Sequence, residues 1–195
     1  MCPGPTFDRI YVALKGQLAS GVHAPGEHLE PAAIGEALFA SITPVRDALH
    51  RLAGERIVEA PRHDGFRVPS PTEAELRDLY RWNCQLLELA LVRPASPARD
   101  EPARDAASLF RLVARLSGSR ELERAVDNSS DRLGSMRAVE PAVLPETDAE
   151  LDRLLDCYRH CDWRALKSSV RAYHRRRERA VPELLAFASS KSRED

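Results

Sequence analysis

Residues 40–52 read ASITPVRDALHRL: two small hydroxyl residues and a proline running into a helix-like pattern. Val45, Leu49 and Leu52 recur at i, i+4 and i+7, which makes one apolar stripe on a helix. Arg46 and His50 then lie on a different face, with Asp47 beside them. Thr43 is the expected N-cap and Pro44 the first helical residue, where a missing N–H costs nothing; Ser41 is the other cap candidate. A helix N-terminus offers unpaired N–H groups and a partial positive charge, so it attracts phosphate. Arginine in the first turn can fork onto guanine O6 and N7, or onto a phosphate. The stretch therefore has two readings. One is a recognition helix presenting Ser41, Thr43 and Arg46 to the major groove of DNA; the other is a capped helix with a surface arginine.

Upstream, Phe7, Ile10, Leu14 and Leu18 predict a helix over 7–20 that Gly21 ends. Pro25-Gly26 suits the centre of a type II turn, and Leu29 returns the chain to the core. A second helix over 31–38 carries Ile34 and Leu38, with Pro31 in its first turn. Downstream the period changes. RIVEA and FRVPS are short β-prone segments around PRHDG, and Asp64-Gly65 signals a tight turn, so 56–69 reads as a two-stranded hairpin. Three short helices and a hairpin are the layout of a winged helix-turn-helix.

PSPTEAE, residues 69–75, marks a boundary, with Thr72 as N-cap and Glu75 three residues later. Beyond it, helices are expected at about 73–92, 103–117, 120–138, 147–160 and 163–187, with RPASPARDEP and EPAVLPE as proline-bearing linkers. The expected fold class is mainly α: a winged helix-turn-helix over 1–70 and an all-α bundle over 71–195.

Composition narrows the function classes. Of 195 residues 43% are hydrophobic, enough for a buried core, and no apolar run reaches bilayer length. MCPGPTFDRI lacks the pattern of a secretory signal, so a cytoplasmic location is expected. The cysteines, Cys2, Cys84, Cys157 and Cys161, are few and irregularly spaced, as in a reducing compartment. Arginine outnumbers lysine 26 to 3, which fits a GC-rich bacterial genome. A net charge of −1 gives no bulk attraction to nucleic acid, so any DNA contact must come from local placement. No G-x-S-x-G elbow, phosphate-binding glycine loop, H-E-x-x-H or zinc-type pair occurs, so no enzymatic activity and no cofactor are expected.

LKGQLASGVHAPGEHL, SITPVRDALHRLAGERIVE and RHDGFRV occur in the order and spacing of the GntR family of bacterial transcription regulators, and residues 10–68 resemble that family's DNA-binding domain. The resemblance implies DNA contacts from Ser41, Thr43 and Arg46, and a wing tip of Arg62, His63 and Gly65 near the minor groove. His50, Arg51 and Arg67 are further candidates, with a solvated surface as the alternative for Arg51 and Arg67. The family often has arginine where this chain has Ile42, so a charged contact is missing. Nearby acids oppose the arginines, so modest affinity per half-site is expected, with dimerisation supplying the rest.

The helical half resembles the FadR-like branch of the family, whose second domain is the ligand-binding FCD bundle. LLDCYRHCDWRALKSSVRAYHRRRERAVPELL, residues 154–185, places Asp162 and His174 at family positions. The branch's metal pattern fails: its aspartate falls on Ala107, its histidines on Arg111 and about Leu151, and only His174 remains. One imidazole cannot hold zinc, so no metal is expected there. The domain also reads as shortened. Arg111 and His174 are candidates for gripping a carboxylate effector, against a solvent-facing or acid-paired arginine and a structural histidine. Cys157, His160 and Cys161 lie within one turn and read as a sensor or as ordinary small residues. HRRRER, 174–179, reads as a solvated face, with a phosphate contact or an interdomain salt bridge as the alternative. The expectation is a homodimeric repressor on palindromic operator DNA, modulated by a small carboxylate. The alternative is a bundle that only dimerises or binds a protein partner.

Overall fold

A computed structural model describes residues 5–62, 64–95 and 103–191 of the chain. The chain forms two compact units: residues up to Ser70 together with those from Ala188, and Pro71–Phe187. Three helices, α1 (Pro5–Ala19), α2 (Pro31–Ala37) and α3 (Ile42–Gly54), make the first. Ile10, Leu14 and Leu18 of α1 meet Val45, Leu49 and Leu52 of α3 in one core, joined by Leu29, Ile34, Phe66 and Val68. The apolar stripes read from the sequence are thus the buried faces of both helices. Past α1, Gly21 turns left-handed at φ 70, and the Val22 N–H closes back onto Gln17 O at 3.1 Å. Glu27 N–H donates to Ala24 O at 3.0 Å with Gly26 at φ 81, the type II turn expected at Pro25-Gly26.

Two details at α3 and the wing differ from expectation. Ser41, not Thr43, is the N-cap of α3, which moves Ile42, Thr43 and Pro44 to its first three positions. The hairpin is reduced to a single antiparallel bridge, Glu59 with Arg67, whose two backbone bonds measure 2.8 and 2.9 Å. In an antiparallel ladder the next such pairs would be 57 with 69 and 61 with 65. Pro69 and Pro61 have no N–H to give, so the ladder stops after one step. The other edge of Arg67 pairs with His28, and Leu29 N–H donates to Phe66 O at 2.8 Å. The wing is therefore anchored on both sides by a short, proline-bounded patch of strand pairing.

Among the described residues the regular structure of the second unit is helical: α4 (Glu73–Ala90), α5 (Ala106–Arg115), α6 (Arg120–Arg132), α7 (Gly134–Val143), α8 (Thr147–Arg159), α9 (Trp163–Arg179) and the start of α10 (Val181–Lys191), whose residues from Ala188 fall in the first unit. α4 begins with the expected capping box between Thr72 and Glu75. It packs along α9 and against α5 and α6, and α8 lies on α9. Leu86, Leu87 and Ala90 close with Leu109, Phe110, Val113, Val126, Leu154, Leu166 and Val170 into the core. Two expected long helices are broken. The 120–138 helix ends at Arg132, and Leu133 at φ −84, ψ −5 starts α7. The 163–187 helix breaks at Ala180, because Pro182 cannot donate to Glu178 O, which instead accepts from Arg77 Nε at 3.3 Å. EPAVLPE is also not simply a linker: Glu140 to Val143 continue α7, and Glu140 is buried.

Candidate nucleic-acid interface

The buried stripe of α3 leaves its other face outward. Ser41, Ile42, Thr43, Arg46, Asp47, His50 and Arg51 are all exposed. The Ser41 side chain makes no capping bond, so its hydroxyl is available to an outside acceptor. Arg46 has no ion pair or hydrogen bond among the described residues. His50 stands edge-on to Phe66, ring centroids 4.9 Å apart, which ties the α3 face to the base of the wing.

Two sequence candidates have other partners. The Arg51 guanidinium lies over the Tyr11 ring, 4.2 Å from its centroid, and its Nε is 3.2 Å from Glu55 Oε1. Tyr11 in turn donates to Glu55 Oε2 at 2.7 Å. Burial and the Glu55 contact raise the Tyr11 pKa, which keeps that donor protonated. Arg51 thus belongs to a clasp between α1 and α3. Arg67 is paired with Asp64 within the wing. It braces the turn from inside, where its Nε is buried with no hydrogen-bond partner.

These pairs matter for the local charge. Glu55 and Asp64, two of the acids that oppose the arginines, are neutralised by Arg51 and Arg67. Arg46 and Arg62 keep their full charge toward solvent, with no partner among the described residues. Gly65 sits at φ 68, a left-handed conformation that makes glycine the natural residue at the wing tip. His63 lies outside the described residues. Sequence reading missed Phe39, which is 93% exposed at φ 51 between α2 and α3. Its signal was faint: a lone aromatic where only a turn was required.

In the helical unit, Arg111 donates from Nη2 to Asp131 Oδ1 at 2.9 Å, and its Nε is 3.3 Å from Asp127 Oδ1. His174 is fully buried. Its Nδ1 is 2.7 Å from Val170 O and its Nε2 2.9 Å from Asn83 Oδ1. Burial first, then the charges of Arg137 and Arg177, push its pKa down to about 3, so the ring is neutral. Val170 O and Asn83 Oδ1 are both acceptors, and Asn83 Oδ1 also accepts from Arg137 Nη2 at 3.2 Å; a neutral ring carries one proton, so it donates to only one of the two oxygens. The two candidates face different partners: Arg111 turns to carboxylates of α6, His174 to Asn83 of α4.

HRRRER is not one solvated face. Arg177 is 1% exposed, and its guanidinium spans Glu140 Oε2 at 2.9 Å and Glu150 Oε2 at 2.5 Å, over the Tyr173 ring. Tyr80 and Tyr173 donate to the Glu140 carboxylate at 3.1 and 3.3 Å. Burial, and next the Glu140 charge, raise both phenol pKa values, so both stay donors. A signal for this was present, because Arg177 continues the stripe of Leu166, Val170 and Tyr173 at i, i+4, i+7 and i+11. Cys84, Cys157 and Cys161 are unpaired thiols, and His160 Nδ1 bonds Asp156 O at 2.9 Å. Among the described residues no group of three or more His, Cys, Asp or Glu side chains is placed to hold a metal. No helix of the described residues is long and apolar enough to cross a membrane.

The model of the family "Bacterial regulatory proteins, gntR family" matches residues 6–68, the three helices and wing of the first unit. The chain is 28% identical over 121 residues to the HTH-type transcriptional repressor GlaR of Escherichia coli K12, covering 60% of this chain and 53% of that protein. It is 32% identical over 108 residues to the HTH-type transcriptional regulator McbR of the same organism, covering 55% and 48%. The aligned stretches thus span about half the length of these relatives, both of them transcriptional regulators. Among solved structures, a GntR transcriptional regulator from Rhodococcus sp. RHA1 superposes with a TM-score of 0.74 at 18% identity, over 91% of this chain and 97% of that one. Escherichia coli McbR/YncC superposes with a TM-score of 0.68 at 17% identity, over 93% and 99%. Both likenesses are in fold: a helix-turn-helix N-terminus followed by a helical domain.

Proposed function

We propose that the protein, carrying a gntR-family domain at residues 6–68, is a cytoplasmic, homodimeric transcriptional regulator that grips operator DNA through the front of α3 and the wing. The observation that carries this reading is the unspent chemistry at that edge. The Ser41 hydroxyl makes no capping bond, Thr43 is exposed, and Arg46 and Arg62 are exposed without partners among the described residues, whereas Arg51 and Arg67 are engaged. A charged group left solvated on a recognition helix can meet a phosphate or guanine with no internal ion pair to break. Repression is the sign we assign, in line with the repressor named among the relatives.

Dimerisation is supported by an apolar row on the outer face of α4 and just past it: Trp82, Leu89 and Val92 are 48%, 60% and 61% exposed. The helical unit resembles an FCD bundle reduced to a scaffold. Effector control by a carboxylate held between Arg111 and His174 is the weaker reading, since Arg111 is paired with two aspartates and His174 is sealed in the core. The test is selection of duplexes from a random pool by the purified full-length protein. Recovery of a two-fold symmetric sequence with half-sites about one helical turn apart is the expected result. Failure to enrich any duplex would refute the proposal.

A further inference from the structure

We infer that Ile42 reads the C5-methyl group of thymine, so that the apolar front of α3 is a base-selecting element. This rests on the DNA-binding reading above. Ile42 occupies the first helical position of α3 and is 47% exposed, although it could be any polar residue at no cost to the core. Phe39 stands three residues earlier, 93% exposed, on a backbone of φ 51 that bulky side chains seldom adopt. Phe39 and Ile42 line one shallow concavity with Ala32, Gly35, Ala40 and Ser41, and the exposed Glu36 is its one charged residue. An apolar lip therefore stands beside the Ser41 hydroxyl, on the outer end of the helix that carries Arg46.

The occupant follows from groove chemistry. The thymine methyl is the apolar group that a base pair offers in the major groove, and the other features there are donors and acceptors. Ile42 has no hydrogen-bonding atom, so it gains from a methyl and strands the polar edge of guanine or cytosine against hydrocarbon. Ile42 and Arg46 are four residues apart and project from the same side of α3. The thymine step therefore neighbours the base or phosphate that Arg46 holds, and the pair reads a mixed apolar and charged pattern.

The probe is a duplex that the wild-type protein enriches from a random pool. Each thymine is replaced in turn by deoxyuracil, which removes the methyl and nothing else, and affinity is measured by fluorescence anisotropy. The expected result is one position per half-site at which deoxyuracil weakens wild-type binding by about fourfold, the effect of losing one buried methyl contact. Ile42→Ala should bind the thymine and deoxyuracil duplexes alike, and Ile42→Arg should select guanine at that position. A melting curve checks that both variants stay folded, as an exposed site requires. The inference is overturned, with DNA binding intact, if deoxyuracil is tolerated everywhere while Arg46→Ala loses affinity. It is equally overturned if Ile42→Ala keeps the wild-type sensitivity. If no duplex is enriched at all, the DNA-binding reading falls and this inference goes with it.

Discussion

Arg46 and Arg51 look interchangeable in the sequence, five residues apart on one helix, yet they have different work. Arg51 is spent on Tyr11 and Glu55, and Arg46 has no partner among the described residues. Arg51→Ala should lower stability by about 0.5–1 kcal/mol in urea denaturation, the size of a half-exposed cation–π and ion-pair contact, while leaving DNA affinity near wild type. His174 makes a second residue-scale expectation. Its folded pKa of about 3 lies below the ordinary 6.5, so below pH 6.5 the unfolded chain binds a proton that the folded chain refuses. Its contribution is fully present above pH 6.5 and is lost as pH falls toward 3. Between pH 7.5 and 5.5 unfolding free energy should drop by about 1.4 kcal/mol from this group. His174→Gln should flatten that drop; an equal drop in the variant would remove His174 as its source.

At the scale of elements, the helices with clear apolar stripes and caps were legible: α1, α3 and α4 follow from Ile10/Leu14/Leu18, Val45/Leu49/Leu52 and the Thr72–Glu75 box. The wing was legible as a turn but not as a ladder, because the cost of Pro61 and Pro69 depends on which residues face each other, and pairing register is a tertiary fact. The splits at Leu133 and Ala180 were hidden in continuous helical patterns. Buried charge was the least legible. Glu140 in a proline-bearing stretch and Arg177 in a basic run each look solvated until α7, α8 and α9 are brought together. That triad gives a sharp contrast. Arg177→Met should cost about 3–5 kcal/mol by leaving the Glu140 carboxylate buried without its cation, while Glu150 keeps Arg176. Arg175→Met, on the exposed face two residues away, should change stability by less than about 0.5 kcal/mol. Denaturant midpoints of the two variants check this directly.

For the whole molecule, the proposed division of labour is one DNA-gripping unit and one helical unit whose interior is closed by its own ion pairs. Trp82, Leu89 and Val92 remain outside that interior, exposed, and are the seam of the proposed dimer. Leu89→Glu should shift the protein from dimer to monomer in sedimentation at micromolar concentration and keep the fold of each unit. It should also weaken operator binding, because two half-sites are then gripped separately. The most direct test of the central claim is the affinity of Arg46→Ala for the selected duplex across a salt series, beside wild type and Arg51→Ala. The expected result is a loss of about 1–3 kcal/mol for Arg46→Ala with an unchanged melting temperature, and near-wild-type binding for Arg51→Ala. Binding by Arg46→Ala as tight and as salt-dependent as wild type would contradict a DNA-gripping role for the front of α3.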